Sequence, residues 1–390
     1  MGKNSLLGLP PLSLYVHLPW CVRKCPYCDF NSHELRGDLQ QQEYVDALLR
    51  DLELELPLVW GRPVHSIFFG GGTPSLFNAE QIGRFLQGVR GLLTLAPDAE
   101  ITLEANPGTT ERDSFSAYRE AGVNRVSLGV QSFNDDSLGR LGRIHGRDEV
   151  FTALESIRRA KMKNFNFDLM FALPGQSLGE ALSDIELAIS YKPAHISHYQ
   201  LTIEPNTAFH VHKPPLPGDE LAWDMQDNCA EILDSAGYRQ YEISAWSKEE
   251  RQCRHNLNYW SYGDFIGIGA GAHGKITLPA EDGIRRRIRA RHPKSWMAGA
   301  GTAEVLADNR LLSREDRVFE FFLNQLRLRG GVHKLQFEPR TGLPWSSVAS
   351  RVTSLIDKGL LEEQGDRLAP TPTGWRFVND MQSVFLPSGS

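Results

Sequence analysis

Three cysteines, Cys21, Cys25 and Cys28, stand in the spacing C-x3-C-x2-C. Such a run sets three thiols on one short loop, and thiolates are metal ligands. The two other cysteines, Cys229 and Cys253, stand alone, and a total of five does not make a disulfide framework. In a reducing compartment a tight group of thiols reads as a metal or redox site. A cubane iron–sulfur cluster is normally held by four cysteines, so three would leave one iron open. An open position separates a reactive metal centre from a purely structural one. The alternative is structural zinc with His17 or His33 as fourth ligand. It calls for a second ligand pair at finger-like spacing, and the sequence shows none.

Other polar residues follow short apolar runs. Gly70-Gly71-Gly72-Thr73-Pro74 comes after the second such run, where glycines let backbone groups approach a ligand and Thr73 adds a hydroxyl. No Gly-Lys-Ser/Thr follows, so a nucleotide P-loop is not supported. Glu104, Gln131 and Asp168 sit in or at the ends of later runs, and Arg143 lies in Leu-Gly-Arg-Ile-His. Taken singly, each reads as a local cap or an ion-pair partner. As a set, Arg143 offers a partner to a carboxylate, and Glu104 and Asp168 offer acceptors to ammonium or hydroxyl groups.

The elements that must position these residues are legible from periodicity. Residues 13–18, 65–69, 100–104, 125–130, 164–170 and 195–202 read as strands, and 41–54 and 79–93 as amphipathic helices between them. Serial strand–helix units imply parallel strands with right-handed crossovers. Six units are too few for a closed eight-stranded barrel, so the expected fold is α/β, an open, partial (β/α)6 barrel with ligands at the strand C-termini. Residues 219–236 read as a helix and 238–244 as a strand. Residues 246–274, rich in Gly, aromatics and His, read as a loop-built site. Five arginines in residues 284–291 read as a solvated face or docking patch, with pairing to propionates less favoured. A smaller α+β domain begins near Ser313 with a capping-type Ser-Arg-Glu-Asp. Helices at 313–328 and 346–358 and a hairpin at 359–370 give it a winged-helix-like character, and residues 386–390 read as an unstructured end. The expected division is 1–245, barrel; 246–312, connecting region; 313–390, C-terminal domain.

With 42 Lys+Arg against 48 Asp+Glu, the 390-residue chain carries a net charge of −6, which argues against nucleic-acid binding by overall charge. Lys358, Arg367 and Arg376 are too few for a phosphate-binding stripe on the winged-helix-like part. No apolar run is long enough to span a membrane and no export signal opens the chain, so a cytoplasmic protein is expected.

The cysteine run after the first strand of a partial barrel, with Tyr27 just before the third cysteine, resembles the radical S-adenosylmethionine (SAM) superfamily. The resemblance implies a [4Fe-4S] cluster on Cys21, Cys25 and Cys28 whose open iron chelates the amino and carboxylate groups of SAM. Reduction would then cleave SAM to a 5′-deoxyadenosyl radical, with the protein supplying orientation and shielding. Gly70–Pro74, Glu104, Gln131, Arg143 and Asp168, in that order, resemble the coproporphyrinogen-dehydrogenase-like branch across nearly the whole chain. By that resemblance Tyr15, Gly71 and Glu104 contact the cluster-bound SAM. Tyr27, Gly72, Thr73, Gln131, Arg143 and Asp168 would line an adjoining site, which in the dehydrogenase holds a second SAM.

Two members of the branch are separable. The oxygen-independent coproporphyrinogen III dehydrogenase has a fourth cysteine two residues after the third and a longer N-terminal extension; here that position is Phe30 and the first cysteine is already at 21. Both departures resemble the HemW-type heme chaperones, whose H-N-x-x-Y-W signature reads as His255-Asn256-Leu257-Asn258-Tyr259-Trp260. This resemblance implies heme binding by His255, Asn256, Tyr259 and Trp260, an imidazole being a usual axial ligand and two rings a cover for a flat macrocycle. Cys253 and His273 are lesser ligand candidates. Read from the residues alone, His255 and Asn256 satisfy buried backbone groups beneath Tyr259 and Trp260. The expected function is binding heme and passing it to acceptor proteins, with a [4Fe-4S] cluster and SAM. The alternative is radical oxidative decarboxylation of coproporphyrinogen III propionates. A homodimer is implied by the resemblance, without a legible interface, and peripheral membrane contact has no amphipathic anchor to argue for it.

Overall fold

The computed structural model describes residues 7–109 and 114–387. Six strands form where the apolar runs fall: β1 (Leu12–Leu18), β2 (Val64–Gly71), β3 (Leu95–Ala105), β4 (Arg125–Gln131), β5 (Phe165–Phe171) and β6 (His195–Gln200). They pair in parallel in that order. Then come β7 (Arg239–Glu242), β8 (Ala245–Ser247), β9 (Asp264–Ile268), β10 (His273–Leu278), β11 (Gly283–Arg289) and β12 (Leu306–Leu311). All twelve make one sheet, ordered β12-β11-β10-β9-β1-β2-β3-β4-β5-β6-β8-β7. The α/β partial barrel expected from the sequence is present.

Strand parity decides what faces the barrel interior. On β1, Leu12, Leu14, Val16 and Leu18 join the buried apolar layer beneath the helices. The alternate residues turn inward: Ser13 accepts from Ser66 at 2.8 Å and Tyr15 stacks near Phe68. The outer layer is closed by helices such as Ala79–Leu92, which buries Ile82, Phe85, Leu86 and Val89 and is capped by Asn78 accepting from Gln81 N. Helix Leu178–Ser190 begins with a Ser177/Glu180 capping box.

Two expectations are corrected. Residues 246–274 are not a loop-built region. They contain helix Arg254–Trp260 and a seventh parallel strand, β9, paired to β1 on the side away from β2. Four of the five arginines of 284–291 are ion-paired and form no free patch; Arg291 is exposed just past them. They lie mainly on β11, where Arg289 holds Asp51 at 3.0 Å and Glu55 at 2.6 Å, Arg287 holds Glu55 at 2.9 Å, and Arg286 holds Glu320 at 2.7 Å. Alternation along β11 aims Arg287 and Arg289 at acids on helix Gln41–Glu53 and just beyond it, which removes them from any role with propionates.

The C-terminal part has helices Arg314–Gln325, Lys334–Thr341 and Ala349–Asp357 over a small antiparallel sheet of Val332–His333, Arg367–Pro370 and Leu361–Gln364. Ser313 and Asp316 form the expected capping box. Its apolar cluster also takes in Leu7, Tyr262 and Ile284 from the barrel side. Of the expected unstructured end, residues 388–390 lie outside the described residues. Among the described residues no helix is long and apolar enough to cross a membrane.

Candidate functional site

The cysteine loop leaves β1 at Pro19 and is pinched at its base, where Trp20–Cys21 pairs in parallel with His33–Glu34. His33 N donates to Pro19 O at 2.7 Å and Leu35 N to Cys21 O at 2.8 Å. Asn31 fixes the far side by donating to the carbonyls of Ala270 and Arg291 at 2.9 and 3.0 Å. His17 stands under the loop. Its Nε2 lies 2.9 Å from Asn31 O, which can only accept, so Nδ1 is the acceptor of the Tyr15 hydroxyl at 3.0 Å. With both nitrogens committed, His17 is no zinc ligand.

Residues 70–72 are glycines because two loops meet there. Gly72 N donates to Leu18 O and Thr73 N to Trp20 O, and a Cβ on Gly72 would lie 2.5 Å from Trp20 O. Gly71 has φ +117°, and a Cβ there would lie 2.6 Å from the His17 ring. The glycines thus lock the second loop against the cysteine loop.

Between these loops and the tips of β3–β6 lies a cavity of about 410 Å³. Cys21, Cys25, Tyr27, Cys28, Gly71, Gly72, Thr73, Glu104, Gln131, Arg143 and Asp168 all line it, as the sequence predicts. Tyr15 does not. It is enclosed below, touching His17 instead of the cavity.

The charged groups are held apart from solvent. Glu104 Oε2 accepts from Gly71 N at 3.2 Å, while burial and the nearby charge of Asp168 push its pKa up to about 8. Asp168 accepts from Ser127 Oγ and Asn166 Nδ2 at 2.9 and 2.8 Å, yet burial still raises its pKa. The Arg143 guanidinium donates to Cys25 Sγ at 3.3 Å, to Asn106 Oδ1 at 2.6 Å and to Gly129 O at 3.0 Å; its Nε is buried without a partner. Gln131, in the left-handed region at φ +68°, accepts from the Tyr199 hydroxyl at 2.8 Å. Three thiols at a cavity mouth, a cation beside one sulfur and two buried acids whose pKa values burial raises fit an iron–sulfur cluster with a zwitterionic ligand.

Asn106 and Tyr199 were not singled out from sequence. Asn106 joins Thr73 Oγ1 at 2.9 Å to Arg143 and so couples three strand tips. Its signal was its place two residues after Glu104, at the same strand end. Tyr199 shares inward parity on β6 with His195 and Ser197.

His255, Asn256, Tyr259 and Trp260 lie elsewhere, on helix Arg254–Trp260, which plugs the opposite end of the barrel. Glu100 accepts from Arg254 N and His255 N at 2.9 and 3.3 Å, a carboxylate at the helix start. Asn258 donates to Ser13 Oγ and Asp264 O, both at 2.9 Å. His255, 8% exposed, has Nδ1 3.1 Å from Ser66 Oγ and packs by the Phe68 ring; burial holds its pKa down at about 3. As placed, a macrocycle would reach it only after the helix leaves the barrel floor. Tyr259 and Trp260 are half-buried and meet edge to face. Cys253 is buried against Glu100 and its pKa is pushed up to about 12, so it is a thiol and not a thiolate. His273 is exposed at the start of β10.

The family model of the Radical SAM superfamily matches residues 15–188, and that of the HemN C-terminal domain matches residues 312–377. Heme chaperone HemW of Escherichia coli is 48% identical over 382 residues, covering 98% of this chain and all of that one (100%). The Haemophilus influenzae protein of the same name is 47% identical, covering 97% and 98%. That of Bacillus subtilis is 32% identical, covering 96% and 99%. Among solved structures, the coproporphyrinogen III oxidase HemN of Escherichia coli aligns with a TM-score of 0.81 at 22% identity over 97% of this chain and 90% of that chain, which shows a shared fold. The chain belongs to the radical SAM superfamily and, within it, to the family of the HemW heme chaperones.

Proposed function

We propose that this protein binds heme and delivers it to acceptor proteins in the cytoplasm, using a radical SAM barrel that holds a [4Fe-4S] cluster on Cys21, Cys25 and Cys28 together with SAM. The observation that carries the reading is similarity to the HemW chaperones over the full length of both chains, against only a shared fold with the coproporphyrinogen oxidase. Phe30 supports it: 61% exposed at the cavity rim, it stands where the resemblance to the dehydrogenase would call for a fourth cysteine.

When bound, the cluster supplies an electron and SAM a cleavable sulfonium centre. The chain's own residues do the rest. Arg143 stabilises negative charge on Cys25 sulfur and keeps Nε free for a ligand carboxylate, and Glu104 and Asp168 offer acceptors to an ammonium or a ribose. Of the residues that the resemblance assigns to heme, His255 lies on the barrel floor with Nδ1 held at 3.1 Å from Ser66 Oγ, away from the cysteine cavity.

The test is an anaerobic hemin titration of the cluster-loaded chain, followed by mixing with an apo acceptor. Saturable one-to-one binding and transfer are expected, with no CO2 released from coproporphyrinogen III in the presence of SAM and reductant. Absence of saturable binding, or decarboxylation of that substrate, overturns the reading.

A further inference from the structure

Beyond β6, on its outer face, lies a second cavity of about 830 Å³, roughly twice the 410 Å³ beside the cysteines. It is bounded by β6, helix Asp219–Ser235 and the C-terminal helix Pro372–Arg376. Nothing described so far uses it.

Parity on β6 aims Tyr199 into the barrel and its neighbour His198 into this second cavity. His198 is only 7% exposed, stacks obliquely on Phe171 with centroids 4.7 Å apart, and lines the cavity wall with its imidazole. An imidazole held by a ring stack at the wall of a cavity presents a nitrogen lone pair to whatever enters it. Burial alone depresses its pKa, to about 3, leaving the neutral imidazole that metal ligation needs.

The walls suit a broad flat molecule. Trp223 is 41% exposed on one wall and Trp375 stands on another, each with an arginine over its ring: Arg376 at 5.4 Å and Arg329 at 4.7 Å. Large exposed aromatics in a concavity are a binding signature. Arg239 and Arg376 hold Asp234 and Asp227, each at 2.7 Å, in exposed pairs of the kind that contribute little and rearrange readily. Glu231 is the third acid there, and Arg329 makes no ion pair among the described residues.

We propose that this cavity seats the heme, with the His198 imidazole as iron ligand, the rings of Trp223 and Trp375 against the macrocycle, and Arg329 for a propionate. The inference rests on the heme reading of the function. It differs from the seat at residues 255–260, because His255 lines neither cavity.

Hemin is titrated anaerobically into the full cluster-loaded chain and its His198→Ala, Trp223→Ala, Arg329→Glu and His255→Ala variants, with visible absorption as readout. His198→Ala is expected to weaken binding about tenfold or more and to alter the absorption envelope, with free imidazole restoring it in His198→Gly. Trp223→Ala and Arg329→Glu, both near the surface, are expected to weaken binding several-fold, and they carry the test should the buried His198 variant fail to fold. Binding by the wild-type chain that is indifferent to residues 198, 223 and 329 overturns this seat and leaves the function standing, as does a loss confined to His255→Ala. A wild-type chain that takes up no hemin overturns the function itself.

Discussion

Glu104 accepts one backbone N–H, from Gly71, and feels a negative neighbour in Asp168 and a positive one in Arg125. Burial dominates, lifting its pKa from an ordinary 4.5 to about 8. Because the folded value lies above the unfolded one, the folded chain binds more protons between those limits, and stability falls as pH rises through that window. Glu104→Gln removes the effect. In thermal unfolding of the ligand-free chain, the variant's advantage over the wild type should grow from pH 6 to pH 9; a pH-independent difference would refute the assignment. The same variant should bind SAM about 10–100-fold more weakly by equilibrium dialysis, the loss expected for a charge-assisted hydrogen bond. At this scale the cysteines were legible because adjacency in sequence alone puts them on one loop. Asn106 and Tyr199 were not, since each acts through a partner on another strand, and which residues meet depends on register.

The parallel strands were legible as elements because each is short, apolar on alternate or all positions, and bounded by turn residues. Strand β9 was hidden by Gly267 within it and the glycines that flank it. A Cβ on Gly267 would fall 1.9 Å from His273 O, so close approach of β10 demands glycine where composition reads as loop. The arginine strand misled for a related reason: nothing local tells that Arg287 and Arg289 face Asp51 and Glu55, more than 200 residues away in sequence. Two variants test these elements. Asp51→Ala leaves the wholly buried Arg289 guanidinium with Glu55 alone and the buried Trp296 Nε1 without its acceptor, and should cost about 3–5 kcal/mol in denaturant unfolding. Destabilisation no larger than that of an exposed pair would show that the buried network is not what holds β11 to helix Gln41–Glu53. Gly72→Ala should act differently. Its Cβ would push the cysteine loop at Trp20 while the core beneath is untouched, so iron content after reconstitution should fall sharply and far-ultraviolet circular dichroism should not. Full iron loading would remove the packing role given to residues 70–72.

The whole molecule is joined at two seams. One is backbone: Ile243 N donates to Arg327 O at 3.1 Å and Arg329 N to Tyr241 O at 2.9 Å, which ties the C-terminal part to the sheet edge at β7. The other is apolar. Tyr262, fully buried after helix Arg254–Trp260, meets Phe321 edge to face at 5.9 Å, donates to Glu320 at 3.2 Å, and carries the Lys275 ammonium 4.0 Å above its ring. Lys275 in turn pairs with buried Asp264 on β9 at 3.0 Å. The helix that plugs the barrel floor therefore leads directly into the C-terminal core, whose apolar cluster includes Leu7, Tyr262 and Ile284 from the barrel side. Because the seam shares buried residues of both, the ligand-free chain should unfold in denaturant as one transition seen alike by tryptophan fluorescence and circular dichroism. Tyr262→Ala should lower that stability by about 3–5 kcal/mol and separate the two probes, since it removes the ring on which both sides pack. Two transitions in the wild type, with Tyr262→Ala shifting only one, would mean that the bodies fold independently and that their contact is a docking surface, not a common core.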